Sequence, residues 1–121
     1  MGNAFVHVEL QTDDVARAKE FYASLLDWRL DEILFDDGSY TVVHVGEGVG
    51  GGITKCPVPN CPPHWLAYIG VDDVAATTQR AKELGATVLR DRTEVPGFGW
   101  FSVITDPTGA MVAFWERRKI G

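Results

Sequence analysis

The sequence contains no basic run longer than three residues and no apolar run long enough to cross a membrane. Its 121 residues carry a formal net charge of −6, so a phosphate backbone or an anionic membrane surface would repel the chain. The first residues, MGNAFVHVEL, lack the charged start and the apolar core of a secretory signal. We therefore expect no nucleic-acid partner, no membrane partner and a cytoplasmic location.

Cysteine is scarce: Cys56 and Cys61 lie in the proline-rich stretch KCPVPNCPP. Two cysteines could form a disulfide or half of a metal site, but no second cysteine or histidine pair follows at zinc-finger spacing. Because cytosolic thiols are kept reduced, we expect two free thiols in a loop.

The chain carries one pattern twice. The strand-like run FVHVEL is followed by the helical TDDVARAKEFYASLL and then by WRLDEILF, YTVVHVG and GVGGGITK, three further strand-like runs. The second half repeats this order with HWLAYIGV, the helical DDVAATTQRAKELGA, and then TVLRDRT, GWFSVIT and AMVAFWE. The sequence therefore predicts a single domain, residues 1–121, with one module at about 4–56 and another at about 64–117. Proline breaks strands and helices, so the linker is placed at about 57–63.

Each module is predicted to be a βαβββ unit, which makes the fold α+β. A four-stranded sheet with a helix on one face leaves the other face open, so two copies are expected to form a half-barrel around a concave pocket. In the first strand, alternation directs Val6, Val8 and Leu10 toward the helix, and His7 and Glu9 toward the pocket. Thr12 or Asp13 is expected to cap the first helix.

His7 and Glu9 are the candidate catalytic pair. A carboxylate beside a histidine would raise the pKa of the imidazole and orient it, as a general base requires. The alternatives are a surface ion pair and a histidine that is hydrogen-bonded to a neighbouring strand. The candidate ligand-binding residues are polar or aromatic side chains of the other strands: Tyr40, His44, His64, Tyr68, Trp100 and Trp115.

The repeated order, together with HVELQTDDVARAKEFYASLLDW and ITDPTGAMVAFWE, resembles the vicinal oxygen chelate superfamily over residues 4–117. That superfamily includes glyoxalase I, extradiol dioxygenases, fosfomycin-resistance enzymes and bleomycin-binding proteins. The stretch PPHWLAYIGVDDV is most similar to a glyoxalase-like branch whose substrates are unassigned. The resemblance implies a homodimer, since modules of the family pair across chains and open strand edges invite association.

The resemblance also implies where a divalent metal would bind, because family metalloenzymes use His and Glu on the first and last strands of each module. His7 falls on the first of these positions. The other three positions fall on residues whose side chains offer no ligand atom: Gly52, Leu66 and Ala113. His64 lies two residues before the second-module position, and Glu116 lies three residues past the last one, where a regular strand directs it to the opposite face. We therefore expect no metal and no other cofactor.

Three functions remain in view. The first is a small-molecule-binding glyoxalase-like protein, with or without metal-independent catalysis. The second is a metal-dependent lyase or transferase of the glyoxalase I or fosfomycin-resistance type. The third is a binding protein that sequesters a drug-like molecule. The missing ligands argue against the second function, whereas the first and third both need only a pocket and stay open.

Overall fold

A computed structural model describes residues 2–36 and 38–119, which form eight strands and two helices. The strands are β1 (Phe5–Thr12), β2 (Arg29–Phe35), β3 (Gly38–His44), β4 (Gly51–Lys55), β5 (His64–Gly70), β6 (Thr87–Val95), β7 (Gly99–Thr105) and β8 (Met111–Arg117). The helices are α1 (Val15–Leu25) and α2 (Val74–Glu83), and neither of these two described helices is long and apolar enough to cross a bilayer. The order βαβββ occurs twice, which confirms the predicted α+β class and the two βαβββ modules.

Residues 7–66 form one compact unit, which we call the first unit. Its strands lie in the order β2-β3-β4-β1, with β1 and β4 parallel and the other neighbours antiparallel. Leu10, Val43 and Ile53 form the buried core, and Val15, Ala18 and Tyr22 of α1 are among the side chains that pack on it. Leu10 therefore faces the helix, as the alternation of β1 predicts.

The start of α1 is capped by Asp14. Its Oδ1 accepts a hydrogen bond from the backbone N–H of Arg17 at 3.0 Å. The expectation that Thr12 or Asp13 caps this helix is wrong, because β1 continues to Thr12 and the chain turns only after it. The Thr12 hydroxyl instead accepts from the Asp14 N–H at 3.3 Å, which supports the turn.

Residues 67–119 and 2–6 form the second compact unit, in which the strands lie in the order β5-β8-β7-β6. Helix α2 is joined to this sheet by polar contacts as well as by packing. The Thr78 and Ser102 hydroxyls are buried and lie 2.7 Å apart, and Glu116 Oε1 accepts from the Val74 N–H at 2.9 Å. Glu116 therefore lies on the helix side of the sheet, as its spacing from Ala113 predicts.

Residues 56–63, between β4 and β5, contain no helix or strand and carry a disulfide between Cys56 and Cys61. The expectation of two free thiols is wrong. The Cys56 N–H donates to the Thr12 carbonyl at 3.2 Å, and Asn60 turns the chain back with a φ of 59°. The two Cα atoms are thereby 6.2 Å apart, within the range that a disulfide spans. The cytoplasmic location stays a prediction, as do the proposed module boundaries.

Candidate functional site

Side chains from β1 and β3 meet in a hydrogen-bonded group that we call the His7 cluster: His7, Glu9, Gln11 and Tyr40. The Tyr40 hydroxyl donates to Glu9 Oε2 at 2.8 Å and lies 2.7 Å from His7 Nε2. The Gln11 amide donates to Glu9 Oε1, also at 2.8 Å. Because the hydroxyl has one hydrogen and gives it to the carboxylate, the His7 Nε2–H donates to the Tyr40 oxygen.

Tyr40 reaches this cluster by crossing β4 at a glycine. Gly52 is paired with Val42 of β3 on one side and with Glu9 of β1 on the other. A Cβ atom at position 52 would overlap the Tyr40 hydroxyl and the end of its ring. The missing side chain of Gly52 therefore provides the space in which the phenol meets His7 and Glu9.

The electrostatic setting of His7 favours a neutral imidazole. Burial is the larger influence and lowers the pKa of His7 below its usual value, while the nearby Glu9 carboxylate opposes the shift. Glu9 itself is only 7 % exposed. The carboxylate does act to raise the pKa of His7, as expected from the sequence, but desolvation of the ring outweighs the attraction of the neighbouring charge.

The residues present do not fit the divalent metal that the family implies. Gly52, Leu66 and Ala113 supply no side-chain ligand, and both His7 and Glu9 are hydrogen-bonded to Tyr40. Within residues 2–36 and 38–119 there is no group of three or more His, Cys, Asp or Glu side chains that could hold a metal ion. A divalent ion would exchange its water ligands for too few protein ligands to be held tightly.

His44 lies outside the His7 cluster. Its Nε2 is 2.9 Å from Asp31 Oδ2, which also accepts from the Arg29 Nε–H at 3.2 Å, and all three side chains are exposed. His44 lies four positions after Tyr40, roughly 13 Å further along β3. The structure thus places His44 in a surface group with charged neighbours.

His64 faces the loop that precedes β5. Its Nδ1 lies 2.8 Å from the Pro62 carbonyl oxygen and 3.8 Å from Cys61 Sγ. Its Nε2 is buried and has no hydrogen-bond partner among the described residues. His64 is therefore associated with the disulfide loop and is not part of the His7 cluster.

Tyr68 and Trp115 share one face of the second unit. Tyr68 is paired with Ala113 of β8, and Trp115, two residues further along β8, is paired with Phe101 of β7. The rings of Tyr68 and Phe101 meet edge to face, with centroids 6.3 Å apart. The aromatic neighbour of Tyr68 on β7 is therefore Phe101.

Trp100 lies on the opposite face, toward α2, and so not on the face that carries Tyr68 and Trp115. It is paired with Glu116, which caps α2, and the guanidinium groups of Arg92 and Arg118 lie over its ring at 4.7 and 5.0 Å. The sequence could not separate the faces here, since β7 carries two adjacent aromatic residues, Trp100 and Phe101, and alternation gives no preference between them.

An open cavity of about 580 Å³ lies beside Trp100 in the second unit. Its charges are mixed, because Asp72 and Asp73 line it together with Arg92 and Arg118. The His7 cluster lies in the first unit, and none of its residues lines this cavity. We assign the candidate site to the His7 cluster, because part-buried polar groups held in one arrangement are better suited to recognising a ligand than a solvated cavity of mixed charge.

Two residues near the candidate positions were missed from the sequence. Gln11 follows Glu9 by two residues on the same strand, so the alternation that identified His7 and Glu9 also points to it. Asp31, the partner of His44, has no comparable signal, because it becomes a neighbour only when β2 pairs with β3.

Residues 4–114 match the family model described as the Glyoxalase/Bleomycin resistance protein/Dioxygenase superfamily. Among curated proteins, "Putative glyoxylase CFP32" of Mycobacterium tuberculosis is 37% identical over 123 residues, covering 94% of this chain and 46% of that protein. The "Anthracycline biosynthesis protein DnrV" of Streptomyces peucetius is 31% identical over 113 residues, covering 93% of this chain and 41% of that protein. The chain thus spans less than half the length of these relatives.

Solved structures share the fold at low sequence identity. A hypothetical protein from Bacillus halodurans superposes with a TM-score of 0.74 at 15% identity, covering 100% of this chain and 99% of the other. Methylmalonyl-CoA epimerase from Mycobacterium tuberculosis superposes with a TM-score of 0.71 at 17% identity, covering 95% of this chain and 88% of the other. At these identities the likeness concerns the fold alone.

Proposed function

Because the chain belongs to the Glyoxalase/Bleomycin resistance protein/Dioxygenase superfamily, we propose that it binds a small organic ligand without a metal ion, at the His7 cluster. One observation carries the proposal. The Tyr40 hydroxyl bridges His7 and Glu9 in the space above Gly52, so it fills the volume of a side chain at position 52, which the resemblance assigns to a metal ligand.

The chemistry of the cluster suits a ligand with hydroxyl groups, because the hydrogens of Tyr40 and His7 Nε2 are given to Glu9 and Tyr40, and these groups therefore meet a ligand as acceptors. A neutral imidazole and a phenol can each form a directional hydrogen bond, and the Glu9 carboxylate fixes the orientation of the phenol. The same chain of groups can pass a proton from Tyr40 to Glu9. Metal-independent catalysis and simple sequestration are therefore both compatible with this cluster. Catalysis requires a ligand with a bond that this proton transfer can make or break, whereas sequestration does not.

The names of the relatives suggest a probe. One relative is named for anthracycline biosynthesis, and anthracyclines are planar, rich in carbonyl and hydroxyl oxygens, and fluorescent. We therefore use daunorubicin as the probe and expect saturable binding by the wild-type protein in a fluorescence titration.

Replacing Tyr40 by Phe or His7 by Ala should weaken daunorubicin binding about tenfold, the loss expected when a hydrogen bond of about 1.4 kcal/mol is removed. Tyr22→Phe is the matched control, since Tyr22 packs on the core on the helix side. Equal affinity in Tyr40→Phe, His7→Ala and Tyr22→Phe would place the probe elsewhere, and no binding by the wild type would reject this ligand class.

The proposal that no metal ion binds at the His7 cluster can be tested separately. Elemental analysis of protein purified without chelator, followed by titration calorimetry with zinc, nickel and manganese, should show no stoichiometric ion that depends on His7. A stoichiometric metal that disappears in His7→Ala would support the metal-dependent lyase or transferase function instead.

We also propose that the chain forms a homodimer. The relatives it matches are more than twice as long as the matched region, which leaves room in each for a second domain of this size. A second copy of this chain would supply the equivalent unit by association.

A further inference from the structure

The disulfide of the first unit has one sheltered sulfur and one accessible sulfur. Cys56 is only 5 % exposed and its backbone is held by Thr12, whereas Cys61 is half-buried in the loop. An external thiol therefore approaches Cys61 more readily than Cys56. None of the groups of this loop belongs to the His7 cluster, so the observation is independent of the proposed ligand site.

A histidine stands next to the accessible sulfur. His64 Nδ1 is 2.8 Å from the Pro62 carbonyl oxygen, which can only accept, so in the neutral ring the hydrogen is on Nδ1. The same nitrogen lies 3.8 Å from Cys61 Sγ, while Nε2 is buried without a partner. The donor of the ring is thus directed into the loop, within reach of both the carbonyl and the sulfur.

We propose that Cys56, Cys61 and His64 form a thiol–disulfide exchange site in which Cys61 is the attacking thiol and Cys56 the resolving thiol. Once the disulfide is reduced, the His64 Nδ1–H can turn from the Pro62 carbonyl to the Cys61 thiolate, because a charged acceptor forms the stronger hydrogen bond. The thiolate is the nucleophile in exchange, so a donor that stabilises it speeds the reaction. His64 acts as a positioning residue.

The reaction with a small disulfide such as glutathione disulfide balances as follows. The Cys61 thiolate attacks one sulfur of glutathione disulfide, forms a mixed disulfide and releases one glutathione thiolate, which takes a proton from water. Cys56 then loses its proton to water and attacks Cys61 Sγ, which forms the Cys56–Cys61 bond and releases the second glutathione. Two electrons pass from the protein dithiol to glutathione disulfide, and a dithiol reductant reverses the sequence.

The first test uses the unmodified chain. The protein is fully reduced, and the reductant is removed under anaerobic conditions. The protein is then treated with limiting iodoacetamide, and the labelled peptides are quantified by mass spectrometry. We expect Cys61 to be alkylated about tenfold faster than Cys56, because it is the more accessible and the more thiolate-like of the two. Equal labelling, or faster labelling of Cys56, would overturn the assignment.

The second test follows exchange with glutathione disulfide in folded variants, checked by circular dichroism. Cys56→Ser should accumulate the mixed disulfide at Cys61, and Cys61→Ser should react more slowly. In the Cys56→Ser background, His64→Ala should slow the reaction about tenfold, and His64→Asn, whose amide can donate from a similar position, should restore part of the rate. His44→Ala is the control and should leave the rate unchanged. A rate that is unaffected by His64→Ala, or that His64→Asn fails to restore, would remove His64 from the site.

Discussion

At the residue scale, His7 is subject to two opposing influences. Its imidazole is half-buried in the His7 cluster, which disfavours the charged ring, and the Glu9 carboxylate favours it. Burial is the larger effect, so the folded state binds a proton on His7 less tightly than the unfolded chain does. The Nε2–H can donate to the Tyr40 oxygen in both protonation states, so this hydrogen bond does not change the direction of the shift.

This balance predicts how stability changes with pH. Because the pKa of His7 is lower in the folded state, its contribution to the free energy of unfolding is fully present above about pH 6.5 and declines as the pH falls below that value. In urea denaturation at several pH values, the difference in stability between wild type and His7→Gln should therefore shrink in acid. A difference that stays constant or grows in acid would mean that burial does not dominate.

At the scale of elements, Gly51 and Gly52 of β4 are adjacent but have different roles. A Cβ at Gly52 would meet the far end of the Tyr40 side chain, which can rotate away. A Cβ at Gly51 would meet the backbone carbonyl of Val8, which is fixed in the pairing of β1 with β4. The first glycine therefore allows strand pairing, and the second allows a side chain to cross the strand.

A double-mutant cycle separates these roles. Gly52→Ala should lower the free energy of unfolding by about 1–3 kcal/mol by displacing Tyr40 and its hydrogen bonds, and the loss should be smaller in a Tyr40→Ala background. Gly51→Ala should be at least as destabilising, with no relief from Tyr40→Ala. Urea denaturation of the wild type, the three single variants and the two double variants gives the coupling free energy between each glycine and Tyr40. If the effects of Gly52→Ala and Tyr40→Ala simply add, Gly52 does not provide the space for the Tyr40 side chain.

The repeated element order could be predicted because each run carries its own periodicity and each helix begins at a repeated DDV. The positions of His7 and Glu9 on the face opposite Leu10 followed from alternation in one strand. Their link to Tyr40 could not be predicted in the same way, because it depends on β4 lying between β3 and β1. The disulfide was not predicted for a similar reason. The spacing of Cys56 and Cys61 permits a bond, but the turn at Asn60, which brings the two residues together, is visible only in the structure.

At the scale of the whole molecule, the proposed homodimer gives a measurable mass. Sedimentation velocity at micromolar concentration should yield a species of twice the chain mass, because the longer relatives have room for a second domain of this size and a second copy of this chain would supply one by association. A single species of one chain mass across that concentration range would contradict the proposal. Linking two copies through a flexible peptide is the matched control and should give the dimer mass at any concentration.

The glycine at position 52 also has an evolutionary consequence. Any side chain there enters the volume that the Tyr40 phenol occupies, so a larger residue at position 52 requires the tyrosine at position 40 to turn out of the cluster. Once the hydroxyl has left His7 and Glu9, a tyrosine at position 40 no longer contributes its hydrogen bonds to the cluster. We therefore expect the residues at positions 40 and 52 to vary together among homologues, because the size of one side chain sets the space left for the other.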